Sequence, residues 1–108
     1  MKIDFSVTVD DLYLDIAQDI MDSIDDDWCS AIVVFNREED SGEFECSYKV
    51  EGSDDDHDFA VTFKSFQAFE ELHKITTKYR HEAWNKAVFT IQITGEFTID
   101  FDFKVHRT

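Results

Sequence analysis

The alternation of apolar and polar residues near the end of the chain predicts a β-hairpin. Residues 87–93 and 96–103 form two strand-like runs around Thr94-Gly95, a pair typical of a tight turn. In the second run every odd-numbered residue is large and apolar, and every even-numbered one is polar. Because successive side chains of a strand point to opposite faces, this strand has one apolar face and one acidic face. We expect helices to cover the apolar face, and water or a partner to contact the acidic face.

Three segments in the middle of the chain also have strand patterns: residues 28–35, residues 44–50, and the alternating Phe59, Val61 and Phe63. The first contains a continuous apolar run, which is typical of a central strand or of one covered on both faces. The second alternates regularly and predicts a half-buried strand. Residues 3–7 alternate over a shorter length and predict a short edge strand.

Two segments repeat apolar residues at the spacing of a helix. The first helix is predicted to have about four turns, a cap at Thr8 or Asp10, and an apolar side made of Leu12, Ile16, Ile20 and Ile24. Its polar side is expected to hold Asp15, Gln18, Asp19 and Asp22. The second helix is predicted to take Ser65 as its cap, with one side made of Phe66, Phe69, Leu72, Thr76 and Tyr79.

These elements follow the order helix, three strands, helix, two strands. The order α-β-β-β-α-β-β predicts an α+β fold, in which an antiparallel sheet of about five strands carries its helices on one face. The sequence has no proline, linker-like stretch or internal repeat, so we expect residues 1–108 to form a single domain. Eleven phenylalanines, three tyrosines and two tryptophans argue against disorder.

The chain is strongly acidic, with 25 acidic residues against 10 basic ones and a formal net charge of -15. Such a field repels nucleic acids and anionic membrane surfaces, and it attracts basic proteins and cations. No apolar run approaches the roughly 20 residues that a membrane-spanning helix needs. The first residues lack the basic region and apolar run of a signal peptide. We therefore expect a cytoplasmic protein that binds neither nucleic acid nor membranes.

Cys29 and Cys46 occupy strand positions that are predicted to point inward. In a chain without a secretory signal, such thiols are best interpreted as reduced core residues. A disulfide between the two strands is the alternative, because the sequence does not fix their register.

The Asp-rich loop at residues 54–58 is the densest group of candidate metal ligands. A calcium loop of the EF-hand type needs a glycine at its sixth position and a glutamate at its twelfth. Counted from Asp54, those positions hold Phe59 and Ser65, so the pattern is absent. We predict a solvated charged loop without a metal site.

No motif in the chain predicts catalysis or a cofactor. His81-Glu82 begins like a helical zinc-protease motif, but Asn85 stands where the second histidine is required. Cys46 has acidic neighbours and an inward position, whereas a catalytic cysteine needs an electropositive, open setting. We predict that the protein is not an enzyme. A general acid and base pair among its many carboxylates is the alternative.

The aromatic residues have two interpretations. The odd-numbered residues of the last strand fit a core that faces two amphipathic helices, and a ligand pocket is the alternative: Phe97, Ile99, Phe101 and Phe103. Trp28 and Trp84 lie at the ends of predicted elements, where a large ring closes the rim of a core. Contact of one tryptophan with a partner is the alternative.

Five local features follow one another along the chain. They are an amphipathic helix ending near Trp28, a turn at residues 40–44 before a strand ending near Tyr48, residues 69–72 of the second predicted helix, Trp84 before the hairpin, and residues 95–102 of the hairpin. In this ordered set, which spans about residues 11 to 102, the chain resembles the YezG-type family of bacterial immunity proteins (antitoxins). It departs from members of that family by stopping soon after the last strand, and its Asp-rich loop at residues 54–58 has no match there.

The resemblance implies an immunity-protein-like α+β domain that binds and neutralises a cognate toxin domain, typically a nuclease delivered by a neighbouring cell. Nuclease domains present basic, phosphate-binding clefts. An acidic inhibitor is steered rapidly to such a target, with a rate that falls as salt rises. Inhibition would be stoichiometric occlusion within a heterodimer.

Dense loop acids and two outward-facing acids of the second strand are the predicted partner-binding residues: Glu38, Glu39, Asp40, Glu43, Glu45, Asp54, Asp55, Asp56 and Asp58. They concentrate charge on loops beside one face of the sheet. Two alternatives stay open: the acids serve only solubility, or the chain is an acidic adaptor whose basic partner is not a toxin.

Overall fold

The computed structural model describes residues 9–38, 41–78 and 84–103. The elements in these ranges are α1 (Val9–Ser23), β1 (Trp28–Arg37), β2 (Gly42–Val50), β3 (His57–Asp58), α2 (Phe63–Lys78), β4 (Trp84–Gln92) and β5 (Phe97–Phe103). The predicted α+β class and the order α-β-β-β-α-β-β are confirmed. The predicted edge strand at residues 3–7 lies outside the described residues.

The strands form one antiparallel sheet in the order β3-β2-β1-β4-β5. β1 is the central strand, as its continuous apolar run predicted. In the middle of the sheet, Val33 of β1 lies opposite Cys46 of β2 and Phe89 of β4. The turn between β4 and β5 contains Gly95 at a φ of 100°, a conformation that glycine adopts without steric cost. This turn is the predicted one.

The third strand is shorter than predicted and lies earlier in the chain. The sequence placed it at Phe59–Phe63 by alternation, whereas the paired residues are His57 and Asp58, opposite Tyr48 and Ser47. Phe59 and Val61 are half-buried against the core beyond the end of β3, and the backbone N–H of Phe59 still donates to the carbonyl oxygen of Cys46 in β2 at 3.4 Å. Phe63 already begins α2 and is 67% exposed.

The cap of α2 also differs from the prediction. Thr62 fills this role, because its Oγ1 accepts a hydrogen bond from the backbone N–H of Lys64 at 3.2 Å. Ser65 is fully buried in the first turn of the helix, and its hydroxyl donates to the carboxylate of Asp19 in α1. Asp19 was expected on the polar side of α1, yet it is only 3% exposed and lies between the two helices.

The core lies between the two helices and one face of the sheet. The ring of Phe35 in β1 stacks on Phe69 of α2 with ring centroids 5.0 Å apart. Trp28 and Trp84 are 7% and 1% exposed, so both belong to the core. The indole N–H of Trp84 donates to Thr76 Oγ1 at 2.7 Å and is thereby satisfied inside the protein.

The apolar side of β5 packs on this core, as predicted. Phe97 stacks on Phe89 at 5.0 Å and meets the ring of Tyr13 edge-on at 5.6 Å, while Ile99 and Phe101 are also half-buried against the core. The side chain of Phe103 lies outside the described residues.

Both cysteines are free and half-buried, in agreement with the prediction of free thiols. Burial raises the pKa of the Cys46 thiol, which makes it a poor nucleophile at neutral pH. Within the described ranges, no helix has the length and apolar character needed to cross a membrane.

Candidate partner-binding surface

The sheet has one face that neither α1 nor α2 covers, and we call it the open face. Odd-numbered residues of β1 and β4, such as Val33 and Phe89, point into the core and have no exposed surface. Strand alternation therefore places the even-numbered residues of β1 from Ser30 onward, of β4 from Lys86 onward and of β5 on the open face. Trp28 and Trp84 precede register shifts in their strands and point into the core instead. On β2 the core side is even-numbered, so the odd-numbered residues Glu43, Glu45, Ser47 and Lys49 share the open face.

The strand register places these side chains in rows across the sheet. One row runs from β2 to β5 through Glu45, Val34, Val88 and Asp100. The neighbouring row runs through Glu43, Asn36, Lys86 and Asp102. Both rows have an acid at each end, and strands lie about 4.8 Å apart, so the two acids of a row are separated by about 14 Å. The four acids Glu43, Glu45, Asp100 and Asp102 are exposed, and we call them the flanking acids.

A third row continues the open face with neutral residues. It passes through Ser47, Ile32, Thr90 and Thr98, and Asp58 of β3 lies beside Ser47 at its outer end. A cavity of about 180 Å³ opens at this row and is lined in part by Ile32, Lys49 and Asp56. The open face thus has a small concave site next to the flanking acids.

The Asp-rich loop is attached to the open face by an ion pair. Lys49 Nζ lies 2.8 Å from Asp56 Oδ1 and donates a second hydrogen bond to the carbonyl oxygen of Asp54 at 2.9 Å. The bond to Asp56 raises the pKa of Lys49. Asp54, Asp55 and Asp56 are all exposed, but Asp56 already has an internal cation as its partner. This loop is therefore held beside the sheet instead of extending away from it.

The predicted acids do not all lie together. Glu43 and Glu45 of β2 and Asp58 of β3 share the open face, and Asn36 Nδ2 donates to Glu45 Oε2 at 3.0 Å. Glu38 is exposed just beyond the end of β1, where its N–H donates to the carbonyl oxygen of Ser41. Glu39 and Asp40 lie outside the described residues. The described part of the chain contains no group of three or more histidine, cysteine or acidic side chains placed to hold a metal ion.

The sequence prediction did not include five residues of this surface: Ile32, Val34, Val88, Asp100 and Asp102. Two signals for them were present. The continuous apolar run of β1 requires apolar side chains on both faces, and the even-numbered residues of β5 form an acidic side. What the sequence could not supply was the register that joins these two strands through β4.

A second concave region differs in chemistry. It is an apolar groove of about 450 Å³ near the start of α2, lined in part by Phe44, Val61, Phe63 and Phe66, and no charged residue lines it. Because no acid lines this groove, the open face and not the groove is the candidate site for a basic partner.

The chain matches no protein-family model and no curated protein sequence.

Proposed function

We propose that the protein is an immunity protein (antitoxin) that binds a cognate toxin domain and neutralises it by occlusion, with a nuclease as the expected toxin. The observation that carries this proposal is the open face, where acids flank both sides of a surface that neither helix covers. The resemblance to YezG-type immunity proteins supports the same function. The protein would act in the cytoplasm, as a heterodimer with the toxin, and would itself need no catalytic residue or cofactor.

The flanking acids suit a basic cleft because a hydrogen-bonded sheet fixes their spacing. Glu45 and Asp100 belong to strands joined through β1 and β4, so their separation of about 14 Å changes little on binding. Preorganised charges lose less conformational entropy when a partner binds than charges on free loops do. Lysine and arginine side chains that normally hold phosphate groups would instead meet these carboxylates, which would block access of nucleic acid.

The open face also has a suitable size. Four strands of seven to ten residues form most of it. At about 4.8 Å between strands and about 3.3 Å per residue, they present on the order of 600 Å². A stable interface of standard size buries about 800 Å² on each partner. The open face and the adjoining Asp-rich loop together approach this area.

The proposal requires a gene for a toxin domain next to the gene for this chain, and co-expression of the two tests it. We expect the chain to restore growth, to co-purify with the toxin domain, and to abolish its nuclease activity in stoichiometric amounts. The double variant Glu45→Lys/Asp100→Lys should weaken binding by at least about tenfold, because one partner of each charge contact is reversed. The control Asp15→Lys/Glu51→Lys changes the net charge equally at exposed positions on α1 and after β2, and it should still protect.

Four outcomes separate the alternatives. Failure of the native chain to restore growth or bind the toxin domain would refute the antitoxin function, and tight binding to a basic protein that is not a toxin would favour the adaptor. Equal loss of binding in the test and control variants would show that only net charge matters. The variant Asp54→Lys/Asp55→Lys tests the loop acids separately; unchanged affinity and salt dependence would remove this loop from the interface.

A further inference from the structure

The centre of the open face is apolar. Val34 of β1 and Val88 of β4 lie directly opposite each other, and Ile32 lies one row away with 36% of its surface exposed. We call these three residues the apolar strip. In protein interfaces, an apolar centre enclosed by a polar rim is where most of the binding energy is gained. The apolar strip has this placement, with Glu45 beside Val34 and Asp100 beside Val88.

We propose that the apolar strip and the adjoining cavity bind an apolar side chain that a basic protein presents between two cationic side chains. This inference rests on the proposed function and names the chemistry of its partner. Each acid of the row lies one strand away from the strip, about 5 Å. A lysine or arginine on either side of the inserted group can therefore reach Glu45 or Asp100 while the apolar group contacts Val34 and Val88.

The cavity next to the strip is large enough for such a group. It has a volume of about 180 Å³, and its lining includes Ile32, Ser47, Thr90 and the ion pair between Lys49 and Asp56. A cavity of about 150 Å³ holds a benzene-sized molecule. A leucine or phenylalanine side chain therefore fits.

The charge of the surface selects against other occupants. A second copy of this chain would bring its own flanking acids against those of the first, and like charges at close range cost several kcal/mol. Asp102 has Lys86 directly opposite it, and an acidic or neutral partner would supply no counter-charge to the other three flanking acids. A basic partner is the occupant that satisfies both the apolar centre and its acidic edges.

Two synthetic peptides test this chemistry without the toxin. One has two adjacent leucines between two runs of four lysines, and the matched peptide has two serines in place of the leucines. Each is titrated at low salt into the ¹⁵N-labelled full chain and followed by NMR. We expect the leucine peptide to bind about fivefold to tenfold more tightly, since part of a leucine side chain leaves water, with the largest shift changes at Ile32, Val34 and Val88.

Matched variants test whether the apolar strip causes the preference for the leucine peptide. Ile32→Thr/Val34→Thr should bind both peptides equally, while its spectrum reports that the fold is intact. The control Ile93→Thr changes another apolar residue, 54% exposed in the β4–β5 turn, and should keep the preference for leucine. Equal binding of the two peptides to the native chain would overturn the inference, as would a leucine preference that survives in Ile32→Thr/Val34→Thr.

The peptide experiment and the co-expression experiment can refute their two proposals separately. If the toxin domain does not bind but the peptides are distinguished, the apolar strip stands as a site for another basic protein and the antitoxin function is wrong. If the chain neutralises the toxin while the peptides bind alike, the proposed function stands and the apolar strip is not the anchor site.

Discussion

Ser65 donates its hydroxyl to Asp19 Oδ2 over 2.6 Å, and this bond joins the first turn of α2 to the middle of α1. The same carboxylate accepts the backbone N–H of Thr62 at 2.9 Å and the Thr62 hydroxyl at 2.8 Å. A buried acid of one helix thus satisfies donors at the start of the other, where the helix dipole also favours negative charge. This contact fixes the two helices relative to each other.

Asp19→Asn should destabilise the fold by about 2 to 4 kcal/mol, because it removes the charge from three hydrogen bonds and directs an amide N–H₂ towards other donors. Urea unfolding followed by circular dichroism measures the change. Asp15→Asn is the control, since Asp15 is exposed on the same helix. A loss no larger than that of the control would show that Asp19 does not join the helices in solution.

The contribution of Asp19 should depend on pH in a defined direction. Burial alone would raise its pKa, but the hydrogen bonds from Ser65 and Thr62 outweigh burial, so the folded pKa lies below the ordinary value. In acid the unfolded state then binds a proton before the folded state does, so the stabilisation is complete above about pH 5 and is lost as the pH falls through the folded pKa. The stability difference between the native chain and Asp19→Asn should therefore shrink between about pH 5 and pH 2. A difference that grows over this interval would contradict the assignment.

The fold was largely predictable because its main patterns are local. The helical spacing of apolar residues in α1 identifies the side of the helix that faces the core, and the strict alternation in β5 identifies the core face of that strand. Neither inference needs information about the elements that pack against them. The start of α2 was not predictable in this way. Thr62 and Ser65 take their roles from Asp19, which is 43 and 46 residues away along the chain. A single sequence gives no signal that joins them.

The candidate site was predictable only in part. The alternation of side chains along each strand correctly assigns Glu43 and Glu45 to one face of β2 and Asp100 to the acidic face of β5. It does not reveal that β1 and β4 lie between these strands, so the row from Glu45 to Asp100 appears only with the sheet order. Strand order and register depend on long-range pairing, which the hydrophobic pattern of one strand does not encode.

His73 offers a second titration test. Burial lowers its pKa, and the nearby Arg37 guanidinium lowers it further, while the imidazole meets the ring of Trp84 edge-on at 4.9 Å. Arg37→Met should therefore raise the pKa of His73, as measured by NMR titration of its ring protons. Lys49→Met removes a cation from the open face of the sheet and should leave that pKa unchanged. An equal shift in both variants would indicate a general charge effect.

Arg37 also links the sheet to α2. Its Nε and Nη2 atoms donate to the two carboxylate oxygens of Glu70 at 2.8 and 3.1 Å, and both side chains are about three-quarters buried. A paired arginine–carboxylate contact is stronger than a single surface ion pair. A double-mutant cycle with Arg37→Met and Glu70→Gln should give a coupling of about 1 kcal/mol. Coupling near zero would show that the pair contributes no net stability.

Gly42 should tolerate no side chain while Phe35 keeps its position. A Cβ atom at residue 42 would lie 2.6 Å from Phe35 Cζ, closer than atoms can approach, and the Phe35 ring is fully buried. Gly42→Ala should destabilise the fold by about 1 to 3 kcal/mol through this overlap. In the background of Phe35→Leu, which removes the overlapping ring atoms, the same substitution should cost clearly less. An equal cost in both backgrounds would place the effect in the backbone.

The flanking acids should reduce the stability of the isolated protein. Glu43 and Glu45 lie two residues apart on one face of β2, as Asp100 and Asp102 do on β5, so each pair brings two like charges close together, and Lys86 lies opposite Asp102 alone among these four acids. Glu43→Gln and Asp100→Asn should therefore each raise the free energy of unfolding by about 0.2 to 0.5 kcal/mol at low ionic strength. The gain should nearly vanish in 1 M salt, where the screening length is about 3 Å. Asp56→Asn is the opposing control, because it breaks the ion pair with Lys49 and should bring no gain.

Acids that cost stability in the free protein are expected where binding a partner compensates for them. If Glu43→Gln and Asp100→Asn both destabilise the fold at low salt, the flanking acids stabilise the folded protein. Their presence is then explained without a binding partner.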